Sequence, residues 1–284
     1  MNYLLLTVSI LFTVINNCIF NNIGKRTLRG HGDVLKFNLI IYLFCALAFF
    51  VPGCTGRISL FSIVLGVLFG IMTALANIYA MQAMSSGPMH ITILITTSSM
   101  IIPALAGTWI GGESPSTLKL CAILGLIFSL YLAGSKLESA ARSPKWPIFC
   151  LIAFVSAGMV GVLQKIHQIS PHKGELFAFL SAAFAFSCLY TLFCLRKTPS
   201  TMRFTKGQVA LAICSGVLLF TINLLNLRLS GVIPSQIFFP LMNGGAIILS
   251  SLSSILFFRE AVTARQLIGL GGGALCLVVI SLPI

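Results

Sequence analysis

Long apolar runs of 18 to 27 residues, separated by short polar connections, dominate the chain. Runs of this length can cross the roughly 30 Å hydrocarbon core of a bilayer as α-helices, whereas membrane β-barrel strands show roughly ten-residue stretches of alternating polarity. The pattern predicts an all-α polytopic membrane protein with ten transmembrane helices. The predicted helices are Tyr3–Asn22, Val34–Val51, Ile58–Met84, Met89–Ile110, Thr117–Gly134, Trp146–Ile166, Leu176–Leu195, Val209–Leu229, Val232–Phe258 and Leu267–Ile284.

The first half of the chain recurs in the second half at a nearly constant distance. Gly70, Asn77 and His90 lie 146 residues before Gly216, Asn223 and Gln236, and Glu113, Lys119 and Gly125 lie 147 residues before Glu260, Gln266 and Gly272. Five helices per half place the two copies in opposite orientations, which is the arrangement of an inverted repeat. We therefore expect one five-helix repeat over residues 1–134, a connection over 135–145 and a second five-helix repeat over 146–284.

Composition places the chain in lipid, because 57% of its residues are hydrophobic, only 8% are charged, and its mean hydropathy is +1.03. A soluble surface needs several times that density of charge. The net charge of +13 comes from basic residues in connections and at helix ends, where they act as topology signals and headgroup anchors. The predicted partners are thus the bilayer and a small-molecule substrate, with no nucleic acid.

The distribution of basic residues also bears on orientation. Thirteen of the 18 basic residues follow odd-numbered predicted helices, so the positive-inside rule favours both termini outside the cell. The nine cysteines are scattered singly, which is typical of small apolar packing residues and indicates neither a disulfide framework nor a zinc site.

The chemical groups and motifs that the sequence lacks exclude several classes of function. The acidic residues all lie in connections or at helix ends: Asp33, Glu113, Glu138, Glu175 and Glu260. Exchange of lipophilic cations for protons normally needs a carboxylate at the bilayer midplane, and intramembrane hydrolysis needs a pair of aspartates there. The sequence has no nucleotide-binding Gly-x-x-x-x-Gly-Lys-Ser/Thr loop and no metal-ligand spacing of histidines. We expect neither an enzyme nor a cofactor.

Asn77 and Asn223 are the first candidates for a binding role. An amide in the middle of an apolar helix costs free energy unless it finds a hydrogen-bond partner. The two side chains could join neighbouring helices, at about 0.6 kcal/mol for each bond, or they could line a cavity. Their recurrence in both halves favours the cavity.

Other polar residues at helix ends allow two interpretations each. Lys25 and Lys165 close the first helix of each half, where we expect a lysine to extend to the headgroups; the alternative is that it turns inward as a fixed cation for a carboxylate or phosphate. His90 is the one candidate proton-responsive group at depth, although a structural histidine is more common. Glu113 and Glu260 fit helix capping or an interfacial ion pair.

Short motifs in matching positions of both halves resemble the drug/metabolite transporter superfamily, of the ten-helix EamA type, over essentially the whole chain. These motifs are Gly112-Glu113, Arg259-Glu260, Gln266, Gly269, Lys25 and Lys165. The resemblance implies a secondary carrier or facilitator of small organic solutes, often an exporter of amino acids, with a central cavity between the halves. It also implies cytoplasmic termini, against the charge distribution.

The sequence thus predicts a multi-pass transporter of the plasma membrane (the bacterial inner membrane). It would move a small neutral or zwitterionic metabolite by alternating access, and a homo-oligomer is left open. A flippase for lipid-linked substrates and a non-transporting scaffold subunit are the alternatives. The predicted substrate-binding residues are Asn17, Asn77, Tyr79, His90, Gln164, Asn223, Asn226, Gln236, Phe239 and Asn243.

Overall fold

Apolar runs become α-helices here because a helix satisfies its backbone hydrogen bonds within one segment, as a hydrocarbon environment requires. A computed structural model of the chain describes residues 1–26, 31–54, 56, 58–86, 89–112, 116–133, 144–198, 204–258 and 263–282. Helices over these residues are α1 (Asn2–Arg26), α2 (His31–Gly53), α3 (Leu60–Ser86), α4 (Met89–Ser98), α5 (Ile101–Ile110), α6 (Thr117–Ala133), α7 (Trp146–Ile169), α8 (Leu176–Lys197), α9 (Lys206–Ser230), α10 (Ser235–Phe258) and α11 (Ala264–Ser281).

Six helices in the described ranges are long and apolar enough to cross a membrane: α1, α2, α3, α7, α8 and α9. Four further apolar stretches of the described chain are shorter, at Ile95–Ile110, Thr117–Leu132, Ser235–Ser250 and Ala264–Ile280. Large apolar side chains are exposed along these helices, for example Leu4, Leu60 and Leu275. Such surfaces suit lipid tails, and the regular structure of the described residues is all helical, with the features of a polytopic membrane protein.

The fourth predicted helix, Met89–Ile110, is not continuous in the structure. It divides into α4 and α5 at Ser99 and Met100. Pro103 lacks an N–H group and its ring crowds the carbonyl group four residues earlier, at Ser99. The chain tightens there, so that the Ile102 amide donates to the Ser99 carbonyl oxygen at 3.0 Å. The sequence prediction overlooked this effect of Pro103.

Contacts divide the described chain into two compact units. Unit 1 comprises Met1–Ala74 and His167–Leu229, and unit 2 comprises Leu75–Ile166 and Ser230–Ile284. Each unit therefore draws helices from both halves of the sequence.

In unit 1, α2 and α8 pack against each other in antiparallel directions. Gly53 near the end of α2 contacts the backbone of Phe177 at the start of α8, while Tyr42, further back on α2, has its ring 6.1 Å from that of Phe184. The Phe49 ring lies between these positions and stacks on Phe184 at 5.6 Å. Aromatic rings thus fill the seam between the two helices.

Glycines bring α3 close to the α2–α8 pair. A methyl group at Gly66 or Gly70 of α3 would collide with the backbone of α8 at Phe179 or Ala183. Small residues spaced four apart allow such close helix packing in membranes. The part of α3 in unit 1 therefore packs directly against the α8 backbone.

In unit 2, α6 and α11 also pack in antiparallel directions. A methyl group at Gly125 would lie 3.0 Å from Sγ of Cys276, and one at Gly272 would lie 2.9 Å from Oγ of Ser129. The α10 helix packs against α5, α6 and α11. The α6–α11 seam is therefore built on small residues from both helices.

Candidate functional site

Three of the predicted binding residues are asparagines with exposed side chains on apolar helices. They are Asn17 on α1, Asn77 on α3 and Asn243 on α10. Nδ2 of Asn243 donates to the Phe239 carbonyl oxygen of its own helix at 3.2 Å. An amide costs free energy in contact with lipid tails unless its polar atoms are hydrogen-bonded, and these three residues remain exposed in the structure.

Two further predicted residues, Asn223 and Asn226, are half-buried on α9 in unit 1. Oδ1 of Asn226 accepts a hydrogen bond of 2.6 Å from Oγ of Ser9, which ties α9 to α1. Nδ2 of Asn223 donates to the Leu219 carbonyl oxygen, one turn back on its own helix, at 2.9 Å. Asn226 thus joins helices, whereas Asn223 lies against its own backbone.

The α1 helix carries a buried polar face beside this contact. Asn16 lies two turns after Ser9, on the same side of the helix, and its Oδ1 atom is buried without a hydrogen-bond partner within the described protein. A buried carbonyl oxygen of this kind requires a partner, such as a water molecule or a solute group. Unit 1 therefore offers an acceptor in its interior.

In unit 2, Gln164 and Gln236 are buried. Oε1 of Gln236 accepts a hydrogen bond of 3.4 Å from the Ser116 amide, just before α6. Gln236 thereby helps to cap α6, because the first amides of a helix lack partners within it.

Tyr79 and Phe239 belong to the aromatic packing of unit 2. The Tyr79 ring lies 5.8 Å from that of Phe149, and the Phe239 ring lies against Gly161. Phe239 is only 5% exposed, so it fills space between α7 and α10.

Lys165 does not extend from the protein surface, because it is only 6% exposed. Its Nζ atom donates to the Ser230 carbonyl oxygen, at the end of α9, at 3.2 Å. The expected extension of Lys165 to the headgroups is therefore wrong, because the side chain is buried against the Ser230 backbone; a role as a cation for a solute stays a prediction. The side chains of Lys25 and His90, and the whole of Glu113, Arg259 and Glu260, lie outside the described residues.

Sequence reasoning missed a polar cluster in unit 1 where the connections α2–α3 and α7–α8 meet. Oε2 of Glu175 accepts hydrogen bonds from the Ser59 amide at 2.9 Å and from Oγ of Ser59 at 2.5 Å. Nδ1 of His172 lies 3.0 Å from Oε1 of Glu175, and the imidazole is the donor because a carboxylate only accepts. A carboxylate from one connection thus holds the start of α3.

Hydrogen bonding keeps this carboxylate ionised. Desolvation raises the pKa of Glu175, but hydrogen bonds from Ser59, Ser62 and His172 outweigh it and lower the pKa from 4.5 to about 2. The group is an anion at every physiological pH. It also lines a cavity of about 500 Å³ whose wall includes Pro52, Gly53, His172, Gly174 and Phe177.

A second histidine, His167, extends the cluster into the interior of unit 1. Nε2 of His167 lies 3.4 Å from Oγ of Ser62, and Nε2 of Gln168 lies 3.1 Å from Nδ1 of His167. An amide nitrogen only donates, so Nδ1 accepts and Nε2 carries the proton toward Ser62. The His167 ring also packs on Phe179, with centroids 4.4 Å apart.

The sequence signals this cluster only through the positions of Ser59 and Glu175 relative to the apolar runs. Ser59 and Glu175 each immediately precede an apolar run, where caps are expected. Pairing them requires knowing that two distant connections meet.

Comparison with known proteins supports the fold. A solved structure, described only as the crystal structure of a protein, matches 99% of this chain and 96% of its own length, with a TM-score of 0.76 and 12% sequence identity. No family model and no curated protein matches the sequence. At this identity the likeness concerns the fold alone.

Proposed function

We propose that this protein is a multi-pass membrane transporter that moves a small neutral or zwitterionic metabolite by alternating access. The observation that carries the proposal is the exposure of Asn77 and Asn243 within apolar helices. These amides would line a hydrated passage, because an amide has two N–H donors and a carbonyl oxygen, more than one protein hydrogen bond satisfies, and lipid tails offer no partner for the rest.

The proposal includes an inverted repeat of ten spans, and symmetric contacts support it. Oγ of Ser187 on α8 donates to the Gly70 carbonyl oxygen at 3.3 Å, and Sγ of Cys45 on α2 donates to the Gly216 carbonyl oxygen at 3.4 Å. Ser187 follows Cys45 by 142 residues, and Gly216 follows Gly70 by 146. The two bonds are therefore equivalent contacts, and each joins one half of the chain to the other.

The second unit supplies an independent pair of equivalent contacts. Gly125 meets Cys276, and Ser129 meets Gly272. Gly272 and Cys276 follow Gly125 and Ser129 by 147 residues each. Antiparallel packing of equivalent helices with exchanged partners is what an inverted repeat produces around its pseudo-twofold axis. The resemblance to ten-helix EamA-type transporters fits the same proposal.

The chemistry of the predicted lining favours a solute with little net charge. Amide groups donate and accept hydrogen bonds without supplying charge. Glu175 is ionised but already accepts several protein hydrogen bonds. We therefore propose that solute flux needs no proton gradient. We also propose that the protein lies in the plasma membrane.

The test is solute flux into liposomes containing the purified protein, across a panel of amino acids and other small metabolites. Asn77→Leu and Asn243→Leu should each lower flux about tenfold, the loss expected when a polar contact to the solute disappears. Asn243→Gln retains an amide and should keep most of the flux.

Asn226→Leu is the matched control, because Asn226 binds Ser9 and joins two helices. It should lower thermal stability more than it lowers flux per folded molecule. Full flux in both leucine variants at Asn77 and Asn243 would contradict the proposal, and unchanged binding of a partner protein without any flux would favour a scaffold.

A further inference from the structure

The equivalent contacts at Gly70 and Gly216 fix the register between the two halves of unit 1. Residues of α2 correspond to residues 142 later on α8, and residues of α3 correspond to residues 146 later on α9. With these offsets Glu175 corresponds to Asp33, Ser59 to Thr205, and Ser62 to Gln208. One end of the α2–α8 pair therefore has the carboxylate Glu175 and the hydroxyl residue Ser59 before α3. The other end has Asp33 and Thr205, which precedes α9.

The two matched positions lie at opposite ends of unit 1. Asp33 is in the first turn of α2, whereas Gly53, at the end of α2, lies against the start of α8 two residues after Glu175. At 1.5 Å per residue, the 23 residues of α2 span about 34 Å, close to the thickness of a bilayer core.

At the first end, the carboxylate of one half caps the helix of the other half. Glu175, which precedes α8, accepts hydrogen bonds from both the amide and the hydroxyl of Ser59, which precedes α3. We call this contact the Glu175 clamp.

At the second end, the corresponding helix caps itself. The Thr205 amide donates to Oε1 of Gln208 at 2.8 Å, and the Gln208 amide donates to Oγ of Thr205 at 3.4 Å. The start of α2 is nevertheless close by, because the Phe37 ring lies 6.3 Å from that of Phe204. Asp33 itself is buried and has interactions of its own, which it would have to exchange to reach Thr205.

We propose that unit 1 carries two alternative clamps, Glu175 with Ser59 at one end and Asp33 with Thr205 at the other. In the structure the first clamp is formed, and the Thr205 amide is bonded to Gln208 instead of Asp33. When the Glu175 clamp opens, Asp33 replaces Gln208 on the Thr205 amide, and the opposite end closes. This inference rests on the proposed function, since exchange of equivalent contacts between two inverted halves is how such a transporter would alternate.

Distances between spin labels in lipid nanodiscs test the exchange. One pair, Gly56→Cys with Gly174→Cys, reports on the first end, and a second pair, Val34→Cys with Gly207→Cys, reports on the second end. A side chain at Gly174 or Gly207 meets no atom within 4 Å. The buried Cys45 and Cys150 are retained, and the other native cysteines are replaced by alanine.

Glu175→Ala should increase the fraction of molecules with a long first distance about fivefold and also shorten the second distance, because a population shift moves both ends together. Ser59→Ala, which removes only the hydroxyl donor, should act in the same direction. Gln208→Ala should shorten the second distance and lengthen the first, although it lies at the far end of the unit. Lys173→Ala, an exposed neighbour of the clamp, should change neither.

A variant that changes only the distance at its own end would overturn the proposal and leave Glu175 a static cap. Reciprocal distance changes in a protein that moves no solute would leave the clamps standing and refute the proposed function instead. Solute flux without reciprocal changes would refute the clamps alone.

Discussion

Gly70 and Gly216 make the same contact in opposite halves of the chain: each carbonyl oxygen accepts a hydrogen bond from the second helix of the other half. The donors are Oγ of Ser187 at 3.3 Å and Sγ of Cys45 at 3.4 Å. Both glycines also permit close approach, Gly70 to the backbone of α8 and Gly216 to the Phe44 ring. The recurrence seen in the sequence thus corresponds to a recurrence of contacts.

Substituting these glycines should destabilise the protein to different extents. Gly70→Ala places a methyl group against the Ala183 backbone, which cannot rotate away, and should cost about 1–3 kcal/mol. Gly216→Ala meets the Phe44 ring at 2.8 Å and should cost less, because a side chain can adjust. Thermal unfolding in detergent measures both effects.

Gly271→Ala is the matched control for that series, since it lies within α11 and a methyl group there meets no atom within 4 Å. Its stability should be unchanged or slightly higher, as alanine favours the helix. Equal losses in all three variants would show that close approach is not the cause.

Trp146 should contribute to stability through its indole nitrogen. Nε1 donates to Oγ1 of Thr92 at 3.0 Å, in a buried pair that joins α7 to α4. Trp146→Phe keeps an aromatic ring but leaves Thr92 without that donor, and should lower the free energy of unfolding by about 1–2 kcal/mol. Trp109 is 89% exposed, so Trp109→Phe serves as the control and should leave stability unchanged. A similar loss in both variants would contradict a role for the indole bond.

Glu175 should stabilise the protein equally throughout the physiological pH range. Its pKa is lowered to about 2, so the ionised form is favoured by folding, and the stabilisation is complete above the ordinary pKa of 4.5. It should decline as the pH falls from about 4.5 toward 2 and the carboxylate takes up a proton. Melting temperatures of the wild type and Glu175→Gln, compared from pH 3 to pH 8, test this.

The two melting curves should keep a constant separation between pH 5 and pH 8 and converge in acid. A separation that changes between pH 6 and pH 8 would mean that another group controls the cluster.

Hydropathy predicted the helices well because lipid leaves the backbone little choice. The predicted Leu176–Leu195 is Leu176–Lys197 in the structure, and Thr117–Gly134 is Thr117–Ala133. The break at Ser99 depends on the local geometry imposed by Pro103, which hydropathy does not register.

The candidate site was less predictable, because the partner of a polar side chain depends on packing. Asn77 and Asn226 look alike in sequence, yet one is exposed and the other binds Ser9. Lys165 could have pointed either way from its position at a helix end, and only the structure places it against Ser230. The partnership of Glu175 with Ser59 joins residues 116 positions apart.

Exchange transport tests the central claim most directly. Liposomes containing the purified protein are preloaded with an unlabelled solute that the flux panel identifies, and uptake of the same labelled solute is measured. Alternating access predicts that preloading accelerates labelled uptake, since a binding site that returns with unlabelled solute bound is ready sooner for the next labelled molecule. It also predicts that uptake saturates with solute concentration. Uptake that is linear in concentration and indifferent to preloading, or absent for every solute of the panel, would contradict the account.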